Sequence, residues 1–351
     1  MSPEREVRIG VVGAGNNTRK RHLPGLQALF GVRIVGVCNR SEASSRRVAA
    51  EFGIRRIYRD WAEAVADPET DAIVIGTWPN LHARVAIAAL EAGKHVLCEA
   101  RMARDAAEAR AMLAAAQRRP GLVAQLVPAP FSLGVDTTVR RLIAEKYLGD
   151  ILAIEHHGAA ALSDPSDALT WRRDRDLSGF NIAALGIVYE MLLRWVGEAV
   201  RVTAMGRIHP RMRRDAEGRL RPALVPDHLD VVAEMACGAQ LHLQQSAFTA
   251  RLQGGGTYLF GTEGALRFHV GTLYGARGAD ADWAPIEIPP SERAGWRVEA
   301  EFVGAIRGTE PVRLTTFEDG VKYMEFVEAV SRSIAQRRTV NLPLRLDLSG
   351  E

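Results

Sequence analysis

The sequence predicts an α/β protein of two domains, the first on a parallel doubly wound sheet, the second on a mostly antiparallel sheet left open on one face. Three observations lead there. Over the first third, short continuous apolar runs alternate with helical periodicity, as strands buried on both faces between crossover helices do. The first of those runs, VRIGVVGAG, closes on glycines. Beyond Pro128 and Pro130 the runs lengthen and alternate apolar with polar residues, the period-two pattern of strands with one wet face. A chain of 351 residues also exceeds what one core ordinarily organises, and a boundary at the two prolines gives domains 1–127 and 128–351.

The elements follow in order. VRIGVV is the first strand and LPGLQALF reads as helix; IVGVCNR is the second strand. SEASSRRVAAEFG is a helix with Ser41 as N-cap and Gly53 as stop. DAIVIGT, HVLCEA and LVAQLVP are further strands, separated by the helices HARVAIAALEAG, which ends at Gly93, and ARDAAEARAMLAAAQ. The second domain starts with a helix, VDTTVRRLIAEKYLG. Strand-like segments ILAIEHHGAA, AVRVTAMGRI, HLDVVAEMACG, AQLHLQQSAF and GTYLFGTEGALRFHV follow. One apolar helix, NIAALGIVYEMLLRWVG, interrupts them, and RVEAEFVGAI and FEDGVKYMEFVEAVSRSIAQ close the chain as helices. That leaves one broad sheet face uncovered, which predicts a homo-oligomer, dimer or tetramer, through the C-terminal sheet.

Composition narrows the function classes. Forty-five basic residues nearly balance 42 acidic ones, and no Lys/Arg run interleaves with aromatics, so no nucleic-acid partner is expected. No apolar run approaches the roughly 18 residues of a membrane span, and the N-terminus is charged where a signal peptide would be apolar. The three cysteines, Cys38, Cys98 and Cys237, are far apart, which fits free thiols rather than bridges or a metal set. The expectation is a cytoplasmic protein without membrane or metal.

The loop Gly13-Ala14-Gly15-Asn16-Asn17-Thr18 follows the first strand and precedes a helix. Gly13 suits a tight turn, and Gly15 lets backbone approach a pyrophosphate seated on the helix that follows. Thr18 stands at the third glycine position of that fingerprint. The second strand ends in Cys38-Asn39-Arg40-Ser41, where sites for NAD usually carry a carboxylate for the ribose 2′-hydroxyl. A guanidinium and a hydroxyl suit a 2′-phosphate instead, so NADP(H) is favoured and NAD(H) remains possible. Thr77 and Trp78 follow the end of another strand, where an open parallel sheet binds its ligand.

Taken together, VRIGVVGAG, HLPGL, VGVCNRS, TWPNLH, AALEAGKHVLCE, the WR…SG segment and FEDGVKYMEF resemble the Gfo/Idh/MocA oxidoreductases over essentially the whole chain. The resemblance implies an N-terminal Rossmann domain, a C-terminal α/β domain and NAD(P)-dependent chemistry on sugars, cyclitols or related polyols. It also places Asn80, His82 and Glu99 with Asn16, Asn17, Thr18, Asn39 and the residues above as cofactor-binding.

The catalytic positions depart from the resemblance. Relatives read Glu-Lys-Pro where this chain has Glu99, Ala100 and Arg101, and Ala184 and Val188 stand at the helix Asp and His. A cis Ala–Arg peptide costs about 2.5–4 kcal/mol, so a trans peptide is expected there. Candidates to supply the missing chemistry are His156 and His157, which alternate to opposite faces of one strand, Tyr189, and Arg101, which polarises an oxygen without giving up a proton. Glu190 is read instead as the ion-pair partner of Arg194 four residues on. Trp171, Arg172 and Asn181, the last on the helix face of Ala184 and Val188, are candidates for substrate contact.

The leading expectation is an NAD(P)-dependent oxidoreductase for a sugar-like or cyclic polyol substrate with a non-standard proton carrier. The alternatives are redox-neutral elimination or epimerisation with retained dinucleotide, and a non-catalytic dinucleotide-binding sensor or assembly subunit.

Overall fold

A computed structural model describes residues 6–159, 168–249, 255–278 and 280–345. The chain starts with β1 (Val7–Val12), a π-helical turn (Thr18–His22) running into α1 (Leu23–Gln27), β2 (Val32–Cys38), α2 (Glu42–Phe52) and β3 (Arg56–Ile57). Next come α3 (Trp61–Ala66), β4 (Ala72–Ile75), α4 (Pro79–Glu91), β5 (His95–Cys98), α5 (Ala106–Gln117) and β6 (Ala124–Leu126). It continues through α6 (Asp136–Ala144), β7 (Ile151–Ala159), α7 (Arg175–Ser178), α8 (Leu185–Val196) and β8 (Ala199–Arg207). The short strands β9 (Met212–Arg214) and β10 (Leu220–Pro222) precede β11 (His228–Met235), β12 (Gln240–Ser246), β13 (Gly256–Gly261) and β14 (Gly264–His269). The chain closes with β15 (Thr272–Arg277), β16 (Ala284–Pro285), α9 (Val298–Arg307), α10 (Phe317–Gln336) and β17 (Val340–Asn341).

Two compact units result: Met1–Pro128 with Arg297–Val321, and Ala129–Trp296 with Lys322–Glu351. The segment 297–321 thus clusters with the first unit, whereas a single cut at the prolines assigns it to the second. The reason is long-range pairing that no local pattern reports. Gln125 donates to the Glu301 carboxylate at 2.9 Å, and the Leu126 N–H donates to the Thr315 carbonyl at 2.9 Å. Phe302 and Glu301 are buried there.

In the first unit the six strands pair in the order β3-β2-β1-β4-β5-β6, all parallel. Ile9, Val11, Ile73, Ile75, Val96 and Leu97 are fully enclosed, because helices cover both faces of such a sheet. Ser41, Asp60 and Asp105 cap α2, α3 and α5 by accepting from Ser44, Glu63 and Glu108 N–H groups. Such caps stabilise a helix by about 1 kcal/mol each. Gly53 stops α2 in the left-handed conformation, as its position predicts. Strand order reverses between β1 and β4, and the loops that leave those two strands form the crevice where open α/β sheets bind ligands.

The second unit carries a nine-stranded sheet in the order β16-β15-β14-β13-β7-β12-β11-β8-β17. Only β7 and β12 are parallel neighbours; every other pair is antiparallel. One face buries Ile154, Leu229, Val231, Leu241, Leu243 and Leu259. The other leaves Met205, Val232 and Phe260 exposed, and Phe260 stacks with Tyr258 at 6.0 Å beside Trp283. Among the described residues no helix is long and apolar enough to cross a membrane.

One predicted helix is shorter than its sequence pattern. It begins at Leu185 rather than Asn181, because Ala183 turns to a positive φ of 44°. Asn181 instead folds back onto Ser178, donating to its carbonyl at 2.7 Å, so it does not share a helical face with Ala184 and Val188.

Candidate functional site

The loop after β1 is held to the loop after β4 by contacts that only glycine permits. Gly13 has φ +88°, and a Cβ there would lie 2.5 Å from the Thr77 nitrogen and 2.6 Å from the Gly76 carbonyl carbon. Its N–H donates to the Cys38 carbonyl at 2.8 Å, locking the turn to the end of β2. Gly15 and Asn16 lie exposed beyond it. Thr18, at the third glycine position of the fingerprint, is buried, and its hydroxyl donates to the Gly13 carbonyl at 3.2 Å. It braces the loop from beneath rather than offering an open surface.

At the end of β2, Asn39 accepts from the Ala14 N–H at 2.6 Å and donates to the Ser44 hydroxyl, so its side chain ties the loop to α2. Arg40 is exposed and its guanidinium lies 5.2 Å over the Trp78 ring. Ser41, as the α2 cap, already accepts from Ser44. Thus Arg40, Ser41, Thr77 and Trp78 come together along the carboxyl ends of the strands. The Asn80 side-chain oxygen is buried without a hydrogen-bond partner. His82 is fully buried, its ring between the Thr77 and Arg101 carbonyls at 3.0 and 2.9 Å, and burial pushes its pKa below the ordinary value. His82 therefore joins the β4 loop to the β5 loop from inside.

Below the loop lies a buried acid–histidine–acid array. His22 Nε2 meets a Glu99 oxygen at 3.0 Å, and Nδ1 meets a Glu299 oxygen at 2.5 Å. Asn17 donates to the same Glu99 oxygen at 2.5 Å. Burial disfavours the charged ring, but hydrogen bonds to Glu299 and Glu99 outweigh it and raise His22 to about 9. Burial alone would push Glu99 up; His22 and Asn17 hold it below the ordinary carboxylate value. Glu99 is thereby kept ionised and aimed. His22 and Glu299 were not singled out from the sequence. The HLPGL stretch was a signal for His22, whereas nothing local marks Glu299, 277 residues away along the chain.

This array has a pH signature. A ring raised from 6.5 to about 9 favours the folded state by roughly 3 kcal/mol at low pH. That stability is fully present below 6.5 and is lost as pH rises through about 9. Chemical denaturation across that window should show the loss in the native protein and not in His22→Gln; equal slopes in both would remove His22 as its source.

The Ala100–Arg101 peptide is cis, against the expectation of trans. The local penalty describes a peptide by itself, whereas here Arg101 is buried and its carbonyl faces His82.

The second unit separates its candidates. His156 lies on the helix-covered face, 8% exposed, between the Thr257 hydroxyl at 2.8 Å and the Gln245 amide at 2.9 Å. Burial, with the neighbouring His157 adding to it, lowers His156 to about 4, so it is neutral at working pH. His157 is on the open face beside Glu155. The Tyr189 hydroxyl accepts from the Ala199 N–H at 2.7 Å, its ring stacks on Phe326 at 3.7 Å, and burial pushes its pKa far up. Glu190 pairs with Arg194 and accepts from the Ala129 N–H. Val188 is buried and Ala184 caps α8 without a side-chain bond. Arg172 lies 4.2 Å over the Trp171 ring, on the turn before α7.

Residues 7–125 match the model of an oxidoreductase family with an NAD-binding Rossmann fold, and residues 137–267 match the model of that family's C-terminal domain. Levoglucosan dehydrogenase of Pseudarthrobacter phenanthrenivorans is 26% identical, over 63% of this chain and 61% of its own. A dTDP-3,4-didehydro-2,6-dideoxy-alpha-D-glucose 3-reductase of Streptomyces antibioticus is 28% identical over 93% of this chain and 97% of its own. The chain spans about three fifths or less of the length of several other curated relatives. A solved structure of levoglucosan dehydrogenase with NADH and L-sorbose superposes at a TM-score of 0.84, with 23% identity, over 96% of this chain and 99% of that one. That likeness establishes the fold.

Proposed function

The chain belongs to the Gfo/Idh/MocA oxidoreductase family, and we propose that it is an NADP(H)-preferring oxidoreductase acting on a sugar-like or cyclic polyol substrate. The observation that carries the cofactor reading is Gly13, held at φ +88° against the backbone of Gly76 and Thr77 where any side chain would collide. The orphaned Asn80 oxygen beside that crevice is a second point of fit. The sugar reading rests on family membership and on relatives whose names specify a sugar or a sugar nucleotide.

In this reading Gly13, Gly15, Asn16 and Asn17 present the pyrophosphate turn, while Thr18 and Asn39 keep it rigid. Arg40 and Ser41 would hold an adenosine 2′-phosphate, with Trp78 beside the Arg40 guanidinium. A bound nicotinamide supplies the hydride chemistry. Glu99, fixed by His22 and Asn17 and held below the ordinary carboxylate pKa, provides an ionised carboxylate in the first unit. Arg101 would polarise an oxygen without giving up a proton. Trp171 and Arg172 present a flat cationic platform suited to a sugar, and Asn181 a buried amide. Of the strand histidines, His156 is neutral, but its only lone pair, on Nε2, is taken by the Gln245 amide while Nδ1–H is directed at Thr257, so it could act as a base only if Gln245 moved away. Its low basicity makes proton transfer the weak step, and Ala100, Ala184 and Val188 offer nothing in its place.

That weakness favours keeping a second reading, redox-neutral turnover or dinucleotide sensing. Nicotinamide absorbance followed with a panel of keto sugars and cyclic ketones separates them. We expect NADPH consumption with at least one carbonyl substrate. Tight NADPH binding without consumption or product across the panel would leave the sensor reading, and a rearranged product without net consumption the redox-neutral one.

The reading includes self-association of a cytoplasmic enzyme. Met205, Val232 and Phe260 give the open sheet face an apolar character, and three free thiols, two of them buried, suit a reducing compartment.

A further inference from the structure

We infer that the open face of the second sheet holds a site for a divalent transition metal ion, with Glu155, His157 and His242 as ligands and Asp230 as the group that orients His242. Neither the phosphate loop nor any residue assigned to the cofactor takes part, so the inference does not rest on the proposed cofactor or reaction, although it shares the face proposed for self-association.

The geometry follows from strand register. Glu155 and His157 are two apart on β7 and therefore project to the same face. In the parallel neighbour β12, His242 is the residue directly paired with Glu155. One donor atom from each of the three lies within 4.8 Å of the other two. Two imidazole nitrogens converge on a single oxygen: Nδ1 of His242 is 3.1 Å and Nε2 of His157 is 3.3 Å from Oε2 of Glu155. For Zn²⁺ with N and O ligands at about 2.0–2.2 Å, a tetrahedral site has ligand–ligand edges of about 3.3 Å. Those two edges already have that length. The strands hold all three donors on a rigid scaffold, which suits a metal site better than loops do.

The surroundings supply the second half of such a site. Asp230 on β11 is 3.7 Å from Nε2 of His242, the nitrogen facing away from Glu155. Once an ion takes Nδ1, a carboxylate there can accept the Nε2–H and hold the ring in the metal-binding tautomer. Asp230 is itself held, accepting from Gln244 at 3.0 Å and facing His228 at 3.2 Å. In the chain without metal the Nδ1–Glu155 contact is a hydrogen bond, and an ion taking that nitrogen would displace its proton. In the single chain, side-chain exposures of 35%, 28% and 36% for Glu155, His157 and His242 leave a path by which the ion loads and a position for water. Imidazole and carboxylate together suit zinc, nickel or copper over calcium or magnesium, which prefer oxygen alone.

The test uses the full chain, stripped with chelator, titrated calorimetrically with Zn²⁺ and spectroscopically with Co²⁺. We expect one saturable site per chain, with the visible absorption of tetrahedral Co²⁺, and a higher thermal midpoint with metal. Glu155→Gln and His242→Gln should each abolish saturable binding, and Asp230→Asn should weaken it about 10- to 100-fold. All three are expected to keep native NADPH affinity and metal-free melting, which shows that they fold. No saturable Zn²⁺ binding by the native chain would overturn the site. Binding undiminished in the Glu155 and His242 variants would overturn it equally, placing the ion elsewhere. Loss of NADPH binding by the native chain would bear on the proposed function and leave this site standing.

Discussion

Gly13→Ala is expected to raise the dissociation constant for NADPH at least about 100-fold and to lower the melting temperature of the protein without cofactor. The residue sits at φ +88°, where an L side chain is strained, and the added methyl would meet backbone atoms of Thr77 and Gly76 at 2.5 and 2.6 Å. Backbone cannot swing aside as a flexible side chain can, so either β1's turn or β4's must move. The turn between Cys38 and Gly13 then opens, and with it the crevice at the strand-order reversal. Gly15→Ala is the contrasting case. A Cβ there would have its nearest neighbour at 3.6 Å, the Gly76 carbonyl, which is ordinary contact. Its metal-free, cofactor-free stability should match the native protein while NADPH binding weakens, because only the ligand would be crowded. Calorimetric titration with parallel melting curves measures both. If Gly15→Ala binds NADPH as the native chain does, the pyrophosphate does not pass over Gly15 and the loop assignment is wrong.

Arg40→Asp is expected to reverse cofactor preference, with the ratio of NADPH to NADH affinities falling by about 100-fold or more, as loss of a charge-assisted phosphate contact together with new repulsion implies. The guanidinium stands over Trp78 at the edge of the crevice, exposed and positioned by the ring. An aspartate there repels a 2′-phosphate and accepts from a 2′-hydroxyl. Competitive titration of the two dinucleotides in both proteins decides it. A native chain that binds NADH as tightly as NADPH would sink the preference, whatever the variant does. Ser41 is a poor place for the same test, since its side chain caps α2 and its loss would weaken the helix along with any ligand contact.

The parallel sheet was legible because burial on both faces makes its strands continuous apolar runs, and the helices between them carry local start and stop signals. Ser41 and Gly53 act where the sequence puts them. The Gly13 turn was legible for a similar reason, as few residues other than glycine suit that conformation. Alternation along ILAIEHHGAA likewise sent His156 and His157 to opposite faces. The Glu190–Arg194 pair was visible as an i,i+4 spacing on a helix.

What escaped the sequence depends on contacts between distant segments. Residues 297–321 join the first unit through Gln125, Leu126 and their partners. Glu299 completes a buried array with His22, and the ring's charge state depends on that distant carboxylate. The Tyr189 hydroxyl is engaged by the Ala199 N–H and its ring by Phe326, contacts no local pattern reports. Residues 181–184 carry a helical pattern, but the chain turns at Ala183 and gives Asn181 to Ser178. The set of Glu155, His157, His242 and Asp230 requires three strands in register, and two of them are parallel neighbours separated in sequence by more than 80 residues. Local pattern determined the elements, the phosphate turn and the faces of each strand, since those follow from backbone sterics and the periods of helix and strand. Tertiary structure alone decided which side chains meet and which of them are charged, because proximity and burial are properties of segments brought together, not of any one segment.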